Sequence, residues 1–202
     1  EEVGISKHSE DAPIVVCSLG DASCTEGEVS EAFQMAVLKK LPIIYLVQDN
    51  EWDISAKAEE TRAQDISYFA KGFKGLKVFT VDGTNFQESY IALQEALKIT
   101  RNRKGPVLIH AKVPLLNHHT SGVRMEWYRD DLDAHLLRDP LPILKELLIE
   151  NGFKETELDD ISSKSEKIVL EQYKKALKEK DPEPDELFKN IFAPTMTPAV
   201  TL

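Results

Sequence analysis

Four short apolar runs, each closed by a turn residue or a charge, divide the first part of the chain. Residues 13–19 are rich in β-branched side chains and end at Gly20-Asp21, the pattern of a buried strand. Residues 42–47, 76–81 and 107–113 repeat it. Between the first two runs, residues 26–40 carry good helix formers and finish in Lys39-Lys40, favourable at a helix C-terminus. A short helix is expected over 65–71. Over 85–101, Phe86, Tyr90, Leu93 and Leu97 fall on one helical stripe, with Lys and Gln opposite. The Leu and Ile stripes read as core. Strands and helices alternating at this spacing predict right-handed βαβ units: an α/β fold with a mostly parallel sheet flanked by helices.

Residues 115–139 break that rhythm. They hold Asn117-His118-His119-Thr120-Ser121-Gly122 and Glu126-Trp127-Tyr128-Arg129 with little periodicity. A polar loop of this length inside a domain is usually functional or mobile. Beyond it, 140–150 reads as an amphipathic helix ended by Asn151-Gly152, and 156–180 as a charged helix. The second helix has a stripe through Leu158, Ile161, Ile168, Tyr173 and Leu177, which predicts one packed and one solvated face. Asp181-Pro182 stops it, and the Pro-containing stretch 193–199 reads as extended linker. The expected division is an α/β domain over 1–138, a C-terminal helical segment over 139–192, and a linker over 193–202. That linker hints at a junction with a following beta-type domain.

Composition narrows the possibilities. With 202 residues, 42% hydrophobic and 30% charged, the chain can build one large α/β domain with an appended helical piece. A net charge of −10 and no dense basic stripe argue against nucleic acid as a partner. Any anion site must then be built locally, from backbone N–H groups and a metal. Cys17 and Cys24 fit neither a CxxC pair nor a zinc knuckle and read as two reduced thiols. The longest strongly apolar run, 43–47, is too short to cross a bilayer. The sequence opens on Glu1 rather than Met and carries no signal peptide pattern, so it reads as part of a longer chain.

The chemistry concentrates at two strand ends. Gly20-Asp21-Ala22-Ser23 lies after the first strand and before a helix, where an open parallel sheet binds ligands. Small residues let the backbone approach a phosphate, and a helix start offers unpaired N–H groups. A carboxylate beside a phosphate makes sense when a divalent cation lies between them. Magnesium takes about six oxygens, one or two commonly from carboxylates. Asp49-Asn50-Glu51-Trp52 ends the next strand, and neighbouring strands lie ~4.8 Å apart. Asp21 and the Asn50 amide oxygen are therefore expected to converge on one ion, with the Trp52 backbone carbonyl completing the protein's share. Each motif alone is an ordinary turn. The two together, each following a buried strand, are far more specific.

That pair resembles the motif with which thiamine diphosphate enzymes hold magnesium and the diphosphate, beginning Gly-Asp-Gly and ending Asn-Asn. Gly20-Asp21-Ala22-Ser23-Cys24-Thr25-Glu26-Gly27-Glu28, Glu31-Ala32-Phe33-Gln34-Met35-Ala36 and Leu41-Pro42-Ile43-Ile44 resemble the alpha subunit of pyruvate and branched-chain 2-oxo acid dehydrogenases. So do Val81-Asp82-Gly83, Gly105-Pro106-Val107-Leu108-Ile109, and His118-His119-Thr120 with Tyr128-Arg129. The resemblance runs over roughly residues 14–192. It implies the diphosphate-binding module of thiamine enzymes, with Asp21, Asn50 and Trp52 on magnesium and Gly20, Asp21, Ala22, Ser23, Asn50 and His119 on the cofactor. His119 would line the channel to the reacting ring and move protons there. Thr120 stands where mitochondrial relatives carry a regulatory phosphorylated serine.

The implied reaction is oxidative decarboxylation of a 2-oxo acid with acyl transfer to a lipoyl group. The implied partners are a beta subunit or fused beta domain, which supplies an activating glutamate, and the lipoyl domain of an acyltransferase component. A dimer of alpha-beta units is the expected assembly, in a bacterial cytoplasm or a mitochondrial matrix and not in a membrane. This chain alone is expected to be inactive. Two positions depart from the motif: Ala22 replaces its second glycine, and Asp49 its first asparagine. In the loop after His119, Val123 replaces a usual acidic residue. Two other readings stay open: an acetoin dehydrogenase or other thiamine diphosphate enzyme, and a non-catalytic subunit whose cofactor site has decayed. The pair His118-His119 leans towards a branched-chain substrate.

Overall fold

The computed structural model describes residues 12–120, 122 and 124–189. The described residues divide into two compact units that part after residue 151.

In the first unit, strand β1 (Val15–Gly20) leads through a 3-10 turn at Ala22–Thr25 into helix α1 (Gly27–Lys39). Strand β2 (Ile43–Asp49) follows, then the short helices α2 (Ala58–Thr61) and α3 (Ile66–Ala70). Next come β3 (Lys77–Asp82), α4 (Phe86–Arg101) and β4 (Val107–Lys112). The four strands form one sheet in the order β1-β2-β4-β3, and every pairing is parallel. The expected α/β architecture is what the chain adopts. Gly20 pairs with Gln48, and Asp49 and Asp82 each pair with Lys112, so these carboxyl ends share one edge of the sheet.

Side chains alternate between the two faces, as a pleated strand requires. On one face Tyr45, Val47 and Leu108 pack with Phe33 and Ala36 of α1 and Ile66 and Ala70 of α3. Phe33 is fully buried, edge-on to Tyr45 at 4.9 Å and to Phe73 at 5.4 Å. On the other face Ile44, Val107, Ile109 and Val81 meet α4.

The buried side of α4 is not the aromatic stripe that periodicity suggested. Ala92, Ala96 and Thr100 face the sheet, while Phe86 and Tyr90 are each 53% exposed and stack on one another at 6.0 Å. Small side chains let the helix axis approach the β-branched strands closely, and the Thr100 hydroxyl donates to the Ala96 carbonyl, so its burial leaves no polar group unpaired.

The stretch 115–139, expected to be irregular, contains a 3-10 turn at Met125–Trp127 and helix α5 (Leu132–Leu136). Helix α6 (Pro140–Glu150) follows, with the Asp139 carboxylate accepting from the Leu141 N–H at its start. Trp127 is 72% exposed.

The second unit contains helix α7 (Glu155–Ala176) and a 3-10 turn at Pro184–Phe188. Its predicted packed face is a correction: Ile161, Ile168, Tyr173 and Leu177 are exposed. Among the described residues, this unit has too little other structure to cover a stripe of that length. The linker expected over 193–202 lies outside the described residues.

Candidate functional site at the strand tips

Asp21 follows β1 directly and caps the 3-10 turn, with helical backbone angles that fold the chain back at once. Ser23 Oγ and Cys24 Sγ both donate to the Gly20 carbonyl, at 2.8 and 3.2 Å, which ties the turn to the strand end. The Asp21 carboxylate is thereby turned inward and is 3% exposed. Ala22 is half-buried and Ser23 closed on its own turn.

At the tip of β2, Asp49 is 1% exposed and fully satisfied. Its carboxylate accepts from His110 Nε2 at 2.6 Å, from Arg62 Nη2 at 2.9 and 3.0 Å, and from the Glu51 N–H at 3.0 Å. An ionised carboxylate only accepts, so the His110 proton is on Nε2. That leaves His110 Nδ1 buried and without a partner among the described residues. The Glu51 contact supports a left-handed backbone, φ 65°, at a residue that seldom adopts it. Asn50 Oδ1 accepts from the Trp52 N–H at 3.0 Å. Among the described residues no backbone N–H is bonded to the Trp52 carbonyl.

The residue that joins the two tips is Arg62, which no sequence motif singles out. It follows α2, and its side chain is 9% exposed. One arm, Nη1, meets Asp21 Oδ2 at 3.2 Å; the other, Nη2, holds Asp49 and lies 3.3 Å from Asp65 Oδ1. Asp49, Asp65 and His110 bring ligand atoms within 4.8 Å of one another, but Arg62 already pairs with both carboxylates there and Lys112 with Asp65.

The two acids shift in opposite directions, although the shared cation favours the ionised form of both. Burial, then the neighbouring charge of Asp49, pushes Asp21 up to about 6 against the pull of Arg62. Burial also works to raise Asp49, but the His110 and Arg62 bonds outweigh it and hold that carboxyl at about 2. Arg62 gives Asp49 its better geometry, and Asp21 keeps the weaker share. Two crevices, of 460 and 320 Å³, flank this guanidinium; Trp52 and Glu59 line the larger, Asp21, Thr25 and Ser30 the smaller.

A second cluster anchors Trp52. Its indole N–H donates to Asp131 Oδ2 at 2.8 Å, and its ring is 3% exposed, against Tyr128 and beneath the Arg129 guanidinium. Arg129 Nε donates to Asp131 Oδ1 at 2.7 Å, and His135 Nε2 lies 3.1 Å from Oδ2. Arg129 also donates to the Leu115 carbonyl, while the Leu115 N–H donates to His135 Nδ1. The loop after β4 is thus tied to the backbone that follows Asn50.

Among the predicted site residues, Gly20, Asp21, Ala22, Ser23, Asn50 and Trp52 lie together at this sheet edge, and the Asn50 backbone N–H acts on the Asp21 carboxylate. His119 is exposed and makes no hydrogen bond or ion pair among the described residues. His118 Nδ1 accepts from the Met125 N–H at 3.2 Å. Thr120 is exposed; Val123 lies outside the described residues. No described helix is long and apolar enough to cross a membrane.

Residues 3–185 match the family described as dehydrogenase E1 component. The chain is 30% identical to the pyruvate dehydrogenase E1 component subunit alpha of Rickettsia felis, over 83% of this chain and 52% of that protein. It is also 30% identical to the 3-methyl-2-oxobutanoate dehydrogenase subunit alpha of Mycobacterium tuberculosis, over 89% of this chain and 50% of that one. A crystal structure of transketolase from Campylobacter jejuni aligns with 52% of this chain and 16% of its own, at 27% identity and a TM-score of 0.45. The chain spans about half the length of the curated relatives it matches. The match over nearly all its length places the chain in the dehydrogenase E1 component family.

Proposed function

We propose that this chain is the magnesium- and diphosphate-holding part of a thiamine diphosphate-dependent 2-oxo acid dehydrogenase component. The observation that carries the reading is the placement of a buried carboxylate, Asp21, beside Asn50 at the tips of two adjacent parallel strands.

The donor set suits the group. Asp21 offers a carboxylate, Asn50 Oδ1 has one lone pair beyond its bond to Trp52, and the Trp52 carbonyl has no backbone donor among the described residues. These are three hard oxygens, the kind magnesium takes, leaving the remaining positions to phosphate and water. The N–H groups of the turn after Asp21 would meet the diphosphate, with Ala22 and Ser23 small enough for close approach. Arg62 is the one obstacle, because its Nη1 holds the Asp21 oxygen that faces it.

When bound, thiamine diphosphate supplies the carbon nucleophile and electron sink for losing carbon dioxide from a 2-oxo acid. The chain's own residues anchor and orient it. His119, on the loop tied to Trp52 through Leu115, Arg129 and Asp131, would hold or move a proton at the channel mouth. A beta subunit or fused beta domain would complete the site, and a lipoyl domain would accept the acyl group. Pyruvate and branched-chain 2-oxo acids are the substrates that the relatives' names suggest.

The Arg62–Asp21 bond favours a second reading, a subunit that no longer binds cofactor. Thermal unfolding of the chain with its beta partner, with and without magnesium and thiamine diphosphate, separates the two. A ligand at 100 times its Kd stabilises the native state by about 2.7 kcal/mol. A rise in Tm that needs both ligands and disappears in D21N supports binding; no rise in the wild type supports the decayed site.

A further inference from the structure

We infer that Arg62 is a built-in cation that competes with the divalent metal for Asp21, and that it yields by releasing one arm while keeping the other. The inference rests on the reading of Asp21 as a metal ligand and adds to it a residue that sets the metal affinity.

The geometry makes the two arms unequal. Nη2 is fixed by three carboxylate oxygens: both of Asp49, at 3.0 and 2.9 Å, and Oδ1 of Asp65 at 3.3 Å. Nη1 has a single contact among these acids, Asp21 Oδ2 at 3.2 Å. Rotation about the Asp49-held edge of the guanidinium frees Asp21 without exposing a buried charge, because Asp49 keeps Arg62, His110 and the Glu51 N–H. Crevices on both sides of the guanidinium give that arm room to move. Asp65 is drawn outward as well, by Lys112 Nζ at 3.2 Å, so the anchor side of Arg62 is itself tied to the end of β4.

The arrangement also accounts for Asp49. A second acid next to a metal-binding carboxylate would raise the charge at the site, and a fixed arginine cancels it. Arg62 thus has two separable tasks. Its charge compensates Asp49, which any cation at that place can do. Its fork reaches Asp21, which only a planar, two-armed group can do. A lysine at position 62 keeps the first task and loses the second.

The test measures metal binding, not turnover. Manganese(II) is titrated into the full chain, with its beta partner and a fixed concentration of thiamine diphosphate, and free ion is read by electron paramagnetic resonance. Wild type, R62K, R62Q and D21N are compared, with thermal unfolding of each to show that it is folded. The expected result is manganese binding about 10-fold or more tighter in R62K than in wild type, as one charge-assisted hydrogen bond at Asp21 is no longer displaced. R62Q is expected to bind at least as tightly as R62K, and D21N to lose the site. If R62K binds within 2-fold of wild type while D21N abolishes binding, Asp21 is a metal ligand but Arg62 does not compete for it, and the inference is overturned. If no folded variant binds manganese in a D21-dependent way, the metal-site reading and the inference fall together.

Discussion

Replacing Trp52 with Phe tests whether the Asp131 cluster holds the backbone after Asn50 in place. The substitution keeps a six-membered ring against Tyr128 and beneath Arg129 but deletes the N–H that donates to Asp131 at 2.8 Å. A hydrogen bond to a charged acceptor contributes about 1.5–3 kcal/mol. The low end applies, because the Asp131 side chain is 32% exposed and keeps Arg129 and His135, so water can take the freed lone pair. The lost ring volume at a site only 3% exposed adds roughly 1–2 kcal/mol. The expected destabilisation is therefore about 3 kcal/mol, a fall in Tm of ~6–12 °C for a domain of this size. Urea unfolding followed by circular dichroism, with W52F, D131N and the double variant, isolates the contact. A coupling of ~1 kcal/mol or more is expected between the two positions. Effects that add within ~0.5 kcal/mol, or a W52F loss below ~1 kcal/mol, would show that the indole N–H does not organise this loop.

The same cluster predicts an acid-sensitive step. Burial opposes ionisation of Asp131, but bonds from Arg129 and Trp52 prevail and hold it at about 2, below its ordinary 3.8. Its stabilising share is present above pH 3.8 and lost as pH falls towards 2, and D131N should flatten that part of the acid unfolding curve. In the core, F33A should cost about 3–5 kcal/mol, since a fully buried ring with two edge-on aromatic neighbours leaves a cavity; chemical denaturation reads it directly, and a loss below ~1.5 kcal/mol would contradict the packing. Two glycines should respond in opposite senses. A Cβ at Gly83 would meet Val113 Cγ1 at 2.4 Å and the Lys112 carbonyl at 3.1 Å, so G83A should lower Tm, whereas one at Gly27 meets nothing within 4 Å and G27A should be neutral or raise it. Cys24 should resist iodoacetamide at pH 8 until the protein is unfolded, because burial and then the Asp21 and Asp49 charges push its thiol up to about 12; rapid alkylation of Cys24 in the native protein, seen by mass spectrometry, would refute that environment.

Which parts of this site could be read from the sequence follows from the range of the interactions involved. The strand runs and the Gly20-Asp21 and Asp49-Asn50 tips are local: apolar blocks closed by turn residues fix where each strand ends, and parallel pairing then puts consecutive tips side by side. The burial of α4 was not local. Periodicity offers two faces, Phe86-Tyr90-Leu93 and Ala92-Ala96-Thr100, and ordinary hydrophobicity selects the first. Close approach to a sheet of Ile and Val selects the second, because small side chains allow the helix and strands to meet. The Asp131 cluster spans 79 residues between Trp52 and its acceptor, a separation that no window of sequence captures.

Arg62 is the most instructive omission, since a clue to it was present. Asp49 stands where the family motif has a neutral asparagine, and a carboxylate only 1% exposed requires a partner. Once the fold buries that carboxylate it needs a cation and a donor, and the sequence does not say which of the basic residues answers. The fold supplies Arg62 from the segment after α2, 13 residues on, and His110 from the neighbouring strand β4. The substitution at 49 is then not an isolated loss from a metal motif. Asp49 and Arg62 together carry no net charge, as the motif's amide does. The arm that pair extends to Asp21 ties the first strand tip to a residue outside the motif, so a scan of the motif positions alone would miss it.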